Sequence, residues 1–263
     1  MHPHHASTIS AAIAHFSPDP SVLALLLSGS IAHGFESADS DVDLLVILTE
    51  EAYAERQQSG QLTLFSRELA TYTDGYIDAK YISLSFIRDV ADRGSEPARF
   101  AFEGARVLFS RLEEGVLEEA LERVVRYPVE GKVEKVKRFR AQLEAWEWFY
   151  LEGKKKGNEY LMGLAVRKLV LFGGRLILAH NEVLYPFHKW FLRVLEGVVE
   201  KPKGLMECIG RVLSEPSDGN VQELYDMVKN FREWEENPNG WGAQFMLDNE
   251  LTWMSGNTPV DDL

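Results

Sequence analysis

Two apolar runs, Val22–Leu27 (VLALLL) and Val42–Leu48 (VDLLVIL), constrain this chain more than any other feature. A strand that is apolar at nearly every position cannot face water on either side, so both runs are expected in the middle of a sheet covered on both faces. The first run stops at Ser28-Gly29-Ser30, and the second is entered through Asp41 and Asp43. Side chains alternate along a strand, so these two acids project from one face while Val42 and Leu44 point into the core.

The flanking sequence fits a small α/β unit. Residues 7–16 read as a short helix ended by Ser17-Pro18-Asp19-Pro20, since proline biases the residue before it away from the helical region. Residues 50–58 read as a helix, and a loop rich in Thr, Gly and Asp follows. Residues 76–84 (YIDAKYISL) have the β-branched and aromatic content of a third strand. A helix is expected over 85–94 and a short fourth strand over 106–109. Beyond residue 111 the apolar period becomes helical, in segments near 113–126, 129–152, 158–180, 186–199, 203–214 and 220–236. Pro186 fits the first turn of the 186–199 helix, Gly153 and Gly157 fit the break between two long helices, and Pro216-Ser217-Asp218 fits a cap. The fold class expected is therefore α+β, a small mixed-sheet domain over residues 1–111 followed by an all-helical bundle domain over 112–263. The tail from Asn237 carries Trp241, Phe245, Met246 and Trp253, so it either packs back onto the body or frays as a partly disordered end.

Composition narrows the partners. A formal net charge of −13 at pH 7 argues against a general nucleic-acid binder and suits a cationic or small polar partner. Cys208 is the one cysteine, which excludes an intramolecular disulfide and a cysteine-rich zinc site. Its setting, GLMECIG, reads as that of a buried small hydrophobe. No apolar run approaches the roughly 18 residues of a membrane span. The segment MHPHHASTIS lacks a basic stretch followed by an apolar core, so no secretory signal is read and the cytoplasm is the default expectation.

The residues around the two runs have a common chemistry. Gly29 lets the backbone approach a ligand closely, Ser30 can donate its hydroxyl, and successive N–H groups at a helix start favour anions such as a triphosphate. Gly34 allows a second tight turn. Asp41 and Asp43 repel each other, and a divalent cation with a taste for oxygen ligands removes that cost. Asp78 lies among hydrophobic residues on the third strand, where an unpaired charge is expensive unless it faces a cleft. Lys80 shares its strand face and either contacts a phosphate or pairs with Asp78.

Gly29-Ser30, a spacer of ten residues, Asp41-x-Asp43 and a later Asp78 on another strand together resemble the nucleotidyltransferase superfamily that includes DNA polymerase β. More closely, the pattern resembles the small antibiotic nucleotidyltransferases of the kanamycin type. The resemblance covers residues 22–84 and extends loosely to 110. It implies that Gly29 and Ser30 hold the β- and γ-phosphates, that Asp41 and Asp43 bind magnesium, and that Asp78 is a third carboxylate acting as base or metal ligand. A two-metal magnesium site, with ATP or another nucleoside triphosphate as substrate, follows from it. The implied reaction moves a nucleoside monophosphate, most simply AMP, to a hydroxyl of a small and in one reading cationic molecule, with release of pyrophosphate. Kanamycin-type enzymes also have a helical second half, some draw their base from it, and they can be dimers that share a cleft. Glu144, Glu147 and Glu152 on the long helix are the possible equivalents here, with a solvated helix charge as the plainer reading of each, and a homodimer is left open.

In the helical half, LYPFHKWFLRVL places His188, Lys189 and Trp190 consecutively behind Pro186. Lys189 can reach a triphosphate and an aromatic can stack on a base or sugar, while the plainer reading puts Phe187 and Trp190 in the core. Arg175 and His180 have the R-x4-H spacing of a helical ribonuclease family often paired with minimal nucleotidyltransferases, which gives a ribonuclease-like alternative. A nucleotide-binding regulatory protein without transfer activity is the other.

Overall fold

The computed structural model describes residues 1–256 and Thr258 and divides into two compact units, Met1–Arg126 and Tyr127–Leu263. The first unit runs in the order α1 (Pro3–Phe16), β1 (Val22–Leu27), α2 (Gly29–His33), β2 (Val42–Leu48), α3 (Glu50–Ser59), β3 (Thr63–Ser66), β4 (Ile77–Ser83), α4 (Leu84–Arg93), α5 (Glu96–Phe100), β5 (Arg106–Ser110) and α6 (Val116–Val124). Its five strands form one sheet in the order β3-β4-β2-β1-β5. The β2–β4 pair is parallel and the other pairs are antiparallel, so the sheet is mixed.

The two apolar runs are the central strands β1 and β2. One face of the sheet buries Leu25, Leu27, Leu44, Val46 and Leu48 against Ile9, Ala12 and Phe16 of α1. The opposite face buries Ala24, Leu26, Leu45 and Ile47 against Ile87 and Val90 of α4 and Leu117, Ala120 and Val124 of α6. Each buried Leu, Ile, Val or Phe among these contributes about 1.5–3 kcal/mol when removed from water, which is why both runs need cover on each side. The packing of α6 also carries the first compact unit on to Arg126, past the boundary expected at residue 111.

Two elements differ from expectation. Helix α1 starts at Pro3 rather than at residue 7, with proline in its first turn, where the missing N–H costs nothing. His5 and Thr8 are buried in it. Strand β3 occupies part of the stretch expected as loop, because four residues at a sheet edge, half exposed in alternation, are too short to register as a period.

The second unit is all helical, with α7 (Lys132–Lys156), α8 (Glu159–His180), α9 (Phe191–Gly197), α10 (Leu205–Ser214), α11 (Asp218–Lys229) and α12 (Gly240–Phe245). Helix α7 runs through Gly153 and ends at Gly157, which takes the left-handed conformation at φ +63°. Gly153 instead marks the close approach of α8, since a Cβ there would lie 3.0 Å from Met162. The helix expected from residue 186 begins only at Phe191. Phe187 has φ +66°, a backbone setting that no helix contains. Helix α11 stops at Lys229, short of residue 236, and Trp234 folds back to donate its Nε1–H to the Val228 carbonyl at 2.9 Å. Ser217 caps α11 through the Asn220 N–H, and Cys208 is fully buried in the helical core. The tail packs back: the Phe245 ring lies 5.5 Å from Phe149 and 6.5 Å from Trp146 on α7. No helix among the described residues is long and apolar enough to cross a membrane.

Gly174 on α8 faces the Phe191 ring and Leu195 so closely that a methyl group would overlap them, whereas Gly210 on α10 has open space where a methyl would go. Gly174→Ala is expected to cost about 1–3 kcal/mol by overpacking, and Gly210→Ala to add about 0.5–1 kcal/mol through helix propensity. Urea unfolding of the two variants checks the opposite signs.

Candidate functional site

The site is built where β1 and β2 leave the sheet. Beyond Leu27, the Ser28 N–H still donates to the Asp43 carbonyl at 3.0 Å, so the turn is tied to the strand that carries the acids. Gly29 follows with φ +64°, and a Cβ there would overlap the Asp43 carboxyl group. Only glycine lets the turn and that carboxylate occupy adjoining space. The short helix α2 then ends at Gly34, φ +71°, and the Phe35 N–H donates to the Ser30 carbonyl at 2.8 Å. The Ser30 hydroxyl is buried and has no hydrogen-bond partner. A buried donor left unmade costs about 1–3 kcal/mol, and such groups mark sites where something else completes them.

The carboxylates are set by register. Asp43 on β2 and Asp78 on β4 are direct partners in the parallel pair, so their side chains share a face, and Asp41 lies two residues before Asp43 on that face. All three are half-exposed. Two unit charges 4 Å apart repel by about 1 kcal/mol in bulk water and about 4 kcal/mol at an effective dielectric near 20. A bound cation or donors must offset that. Tyr76 lies near these acids: the charge of Asp41, then burial, then Asp43 and Asp78 push its phenol above its ordinary value, so it stays protonated.

Neighbouring loops hold this edge in place. The Tyr72 hydroxyl donates to the Ser40 carbonyl just before Asp41, and Gly75 lies flat against the Tyr72 ring. The Thr71 N–H donates to the Thr8 hydroxyl at 3.0 Å and the Thr71 hydroxyl to the His4 carbonyl at 3.1 Å, which pins the loop to α1. His4 donates from Nε2 to the Ala38 carbonyl at 2.8 Å. Behind the turn, His33 donates from Nδ1 to the Gly29 carbonyl at 2.7 Å, and its ring stacks on Phe100 at 4.6 Å. Arg106 donates to the Ile31 carbonyl at 3.2 Å and is otherwise exposed beside the turn.

Of the sequence candidates, Gly29, Ser30, Asp41, Asp43 and Asp78 therefore come together in the first unit. Lys80 is exposed on the Asp78 face, two residues along β4. Lys189 belongs to the second unit, exposed, with its ammonium 5.1 Å from the Trp190 ring, and it is not among the residues that the first unit gathers. Phe187 is 57% exposed rather than core. Among the described residues no three His, Cys, Asp or Glu side chains form a group that could hold a metal ion. What fits a cation here is the donor chemistry alone, oxygen-only side chains of which Asp43 and Asp78 are register partners.

The helical acids have separate surroundings. Burial favours a raised Glu144 carboxyl, but hydrogen bonds from Tyr225 and Arg140, with the charges of Arg140 and Lys229, hold it below the ordinary value. Glu147 is raised, by burial and then by Glu144. Glu152 is half-buried and pairs with Lys155. Arg175 lies between the Phe139 and Tyr185 rings, and His180 bonds to Glu200 and Arg232, so each has its own partners.

Sequence reading missed Tyr76, His33 and Arg106. Tyr76 was visible as the residue two before Asp78 on the same strand face. No local signal singled out the other two, because their roles depend on which strand lies beside the turn.

Gly29→Ala is expected to destabilise the protein by about 1–3 kcal/mol through left-handed backbone strain and overlap with Asp43. In an Asp43→Ala background part of that cost disappears, giving a coupling of about 1 kcal/mol in a double-mutant cycle followed by urea unfolding. Additive losses would show that the two residues do not touch.

No protein-family model matches the chain, and no curated protein matches it. Among solved structures, a nucleotidyltransferase-like protein from Exiguobacterium sibiricum is similar over 95% of this chain and 79% of its own length, with 10% identity and a TM-score of 0.47.

Proposed function

We propose that this chain is a nucleotidyltransferase that moves a nucleoside monophosphate, most simply AMP from ATP, to a hydroxyl group of a small molecule. The observation that carries the reading is the contact between Gly29 and Asp43, which makes one site of an anion-type turn and a pair of acids. Neither half alone is distinctive. Joined, and with Asp78 in register beside Asp43, they supply a place for phosphates, a donor set for cations and a base.

In this reading the backbone at Gly29 and the orphaned Ser30 hydroxyl bind the β- and γ-phosphates, with Arg106 and Lys80 as neighbouring positive charges. Asp41, Asp43 and Asp78 would hold magnesium, which when bound neutralises triphosphate charge and favours in-line displacement. Asp78 accepts the proton of the attacking hydroxyl as that oxygen bonds to the α-phosphorus and pyrophosphate leaves.

The test is pyrophosphate release from each of the four nucleotides over a broad acceptor panel, joined to calorimetry of nucleotide binding with and without magnesium. Asp41→Ala/Asp43→Ala is expected to lose the magnesium-dependent part of the affinity. Asp78→Asn is expected to keep nucleotide affinity and lose roughly 10²–10⁴ in turnover, the range of a general base. Unchanged magnesium-dependent binding in the double variant would remove those acids from the site.

A further inference from the structure

The sheet of the first unit lays its chemistry out in spatial order. The Gly29-Ser30 turn closes β1, Asp43 lies on β2, Asp78 lies beside it on β4, and Phe65 on the edge strand β3 is the direct register partner of Asp78. Paired residues in a ladder share a face, so Phe65 projects on the carboxylate side. It is 59% exposed, and its ring centroid lies 4.8 Å from that of Tyr76, two residues before Asp78. The guanidinium of Arg67 lies 5.7 Å from the Phe65 ring centre. A supported aromatic face thus adjoins the acids on the side away from the turn.

In a displacement at phosphorus the attacking oxygen enters opposite the leaving group. A triphosphate tail held at the turn sends pyrophosphate out toward β1, so the attacking hydroxyl comes in from the β4–β3 side. We propose that Phe65, braced by Tyr76, is the floor of the acceptor subsite, and that the acceptor is a small molecule whose hydroxyl adjoins a planar aromatic ring.

This inference rests on the nucleotidyl-transfer reading and names the substrate class within it. The acceptor oxygen bonds to the α-phosphorus, the bond from that phosphorus to the bridging oxygen of pyrophosphate breaks with its electron pair leaving on pyrophosphate, and the hydroxyl proton passes to Asp78. Phe65 takes no part in those bonds. It positions the ring so that the hydroxyl lies near Asp78, through the stacking that aromatic faces offer planar ligands.

Two probes separate ring recognition from charge recognition: 4-hydroxybenzyl alcohol, planar and uncharged, and 2-deoxystreptamine, non-planar and cationic. Their binding is followed by saturation-transfer NMR on the full chain with magnesium and a nonhydrolysable ATP analogue. The planar probe is expected to bind, Phe65→Ala to weaken it on the order of tenfold, and Phe65→Tyr to restore it, while nucleotide affinity stays within about twofold throughout. Because Phe65 is largely exposed, the alanine variant is expected to fold, and its unfolding midpoint verifies this. Binding of the cationic probe alone, or planar binding indifferent to Phe65, overturns the subsite while leaving nucleotide transfer intact. Weakened nucleotide binding in Phe65→Ala also overturns it, assigning the ring to the nucleobase instead. If the parent protein binds no nucleotide at all, the transfer reading itself falls, and the subsite with it.

Discussion

A glycine at position 29 lets a turn lie directly against a carboxylate, and the rest of the site depends on that approach. Gly29 adopts a backbone conformation that L side chains rarely take, and its missing Cβ is the space that Asp43 fills. The contact works in both directions. It holds the turn at the mouth of β2, and it holds one acid of a mutually repelling pair against that turn. The apolar strands behind it, covered on both faces, give that contact a rigid base.

From this base the electrostatics follow by register. The parallel pairing of β2 with β4 sets Asp43 beside Asp78, and the alternation of β2 puts Asp41 on the same face. A protein concentrates like charge in this way at a cost of several kcal/mol unless something offsets it. In the proposed reading a bound cation and a nucleotide would contribute to that offset.

Much of this was legible in the sequence because it is local. Continuous apolar runs identify central strands, and acids at i and i+2 share a face whatever surrounds them. Asp78 was legible as a charge among hydrophobic residues. Phe65 was not, because a four-residue edge strand carries too little period to separate it from a loop, and its meaning comes only from pairing with Asp78. The supports of the turn were equally hidden, since His33 reaches the Gly29 carbonyl one helical turn back and Arg106 arrives from a strand far along the chain. In the helical half, the positive φ of Phe187 interrupts a helix that spacing alone predicted from Pro186, because periodicity records which face is apolar and not the backbone conformation of each residue.

The most direct test of the central claim, that turn and acids form a single site, is a crystal structure of the protein with magnesium and a nonhydrolysable triphosphate analogue. The account predicts phosphate oxygens at the Gly29 backbone and the Ser30 hydroxyl, with cation density on Asp41 and Asp43 in the same complex. A nucleotide bound elsewhere, with the Ser30 hydroxyl still unpaired and the carboxylates bare, would contradict it.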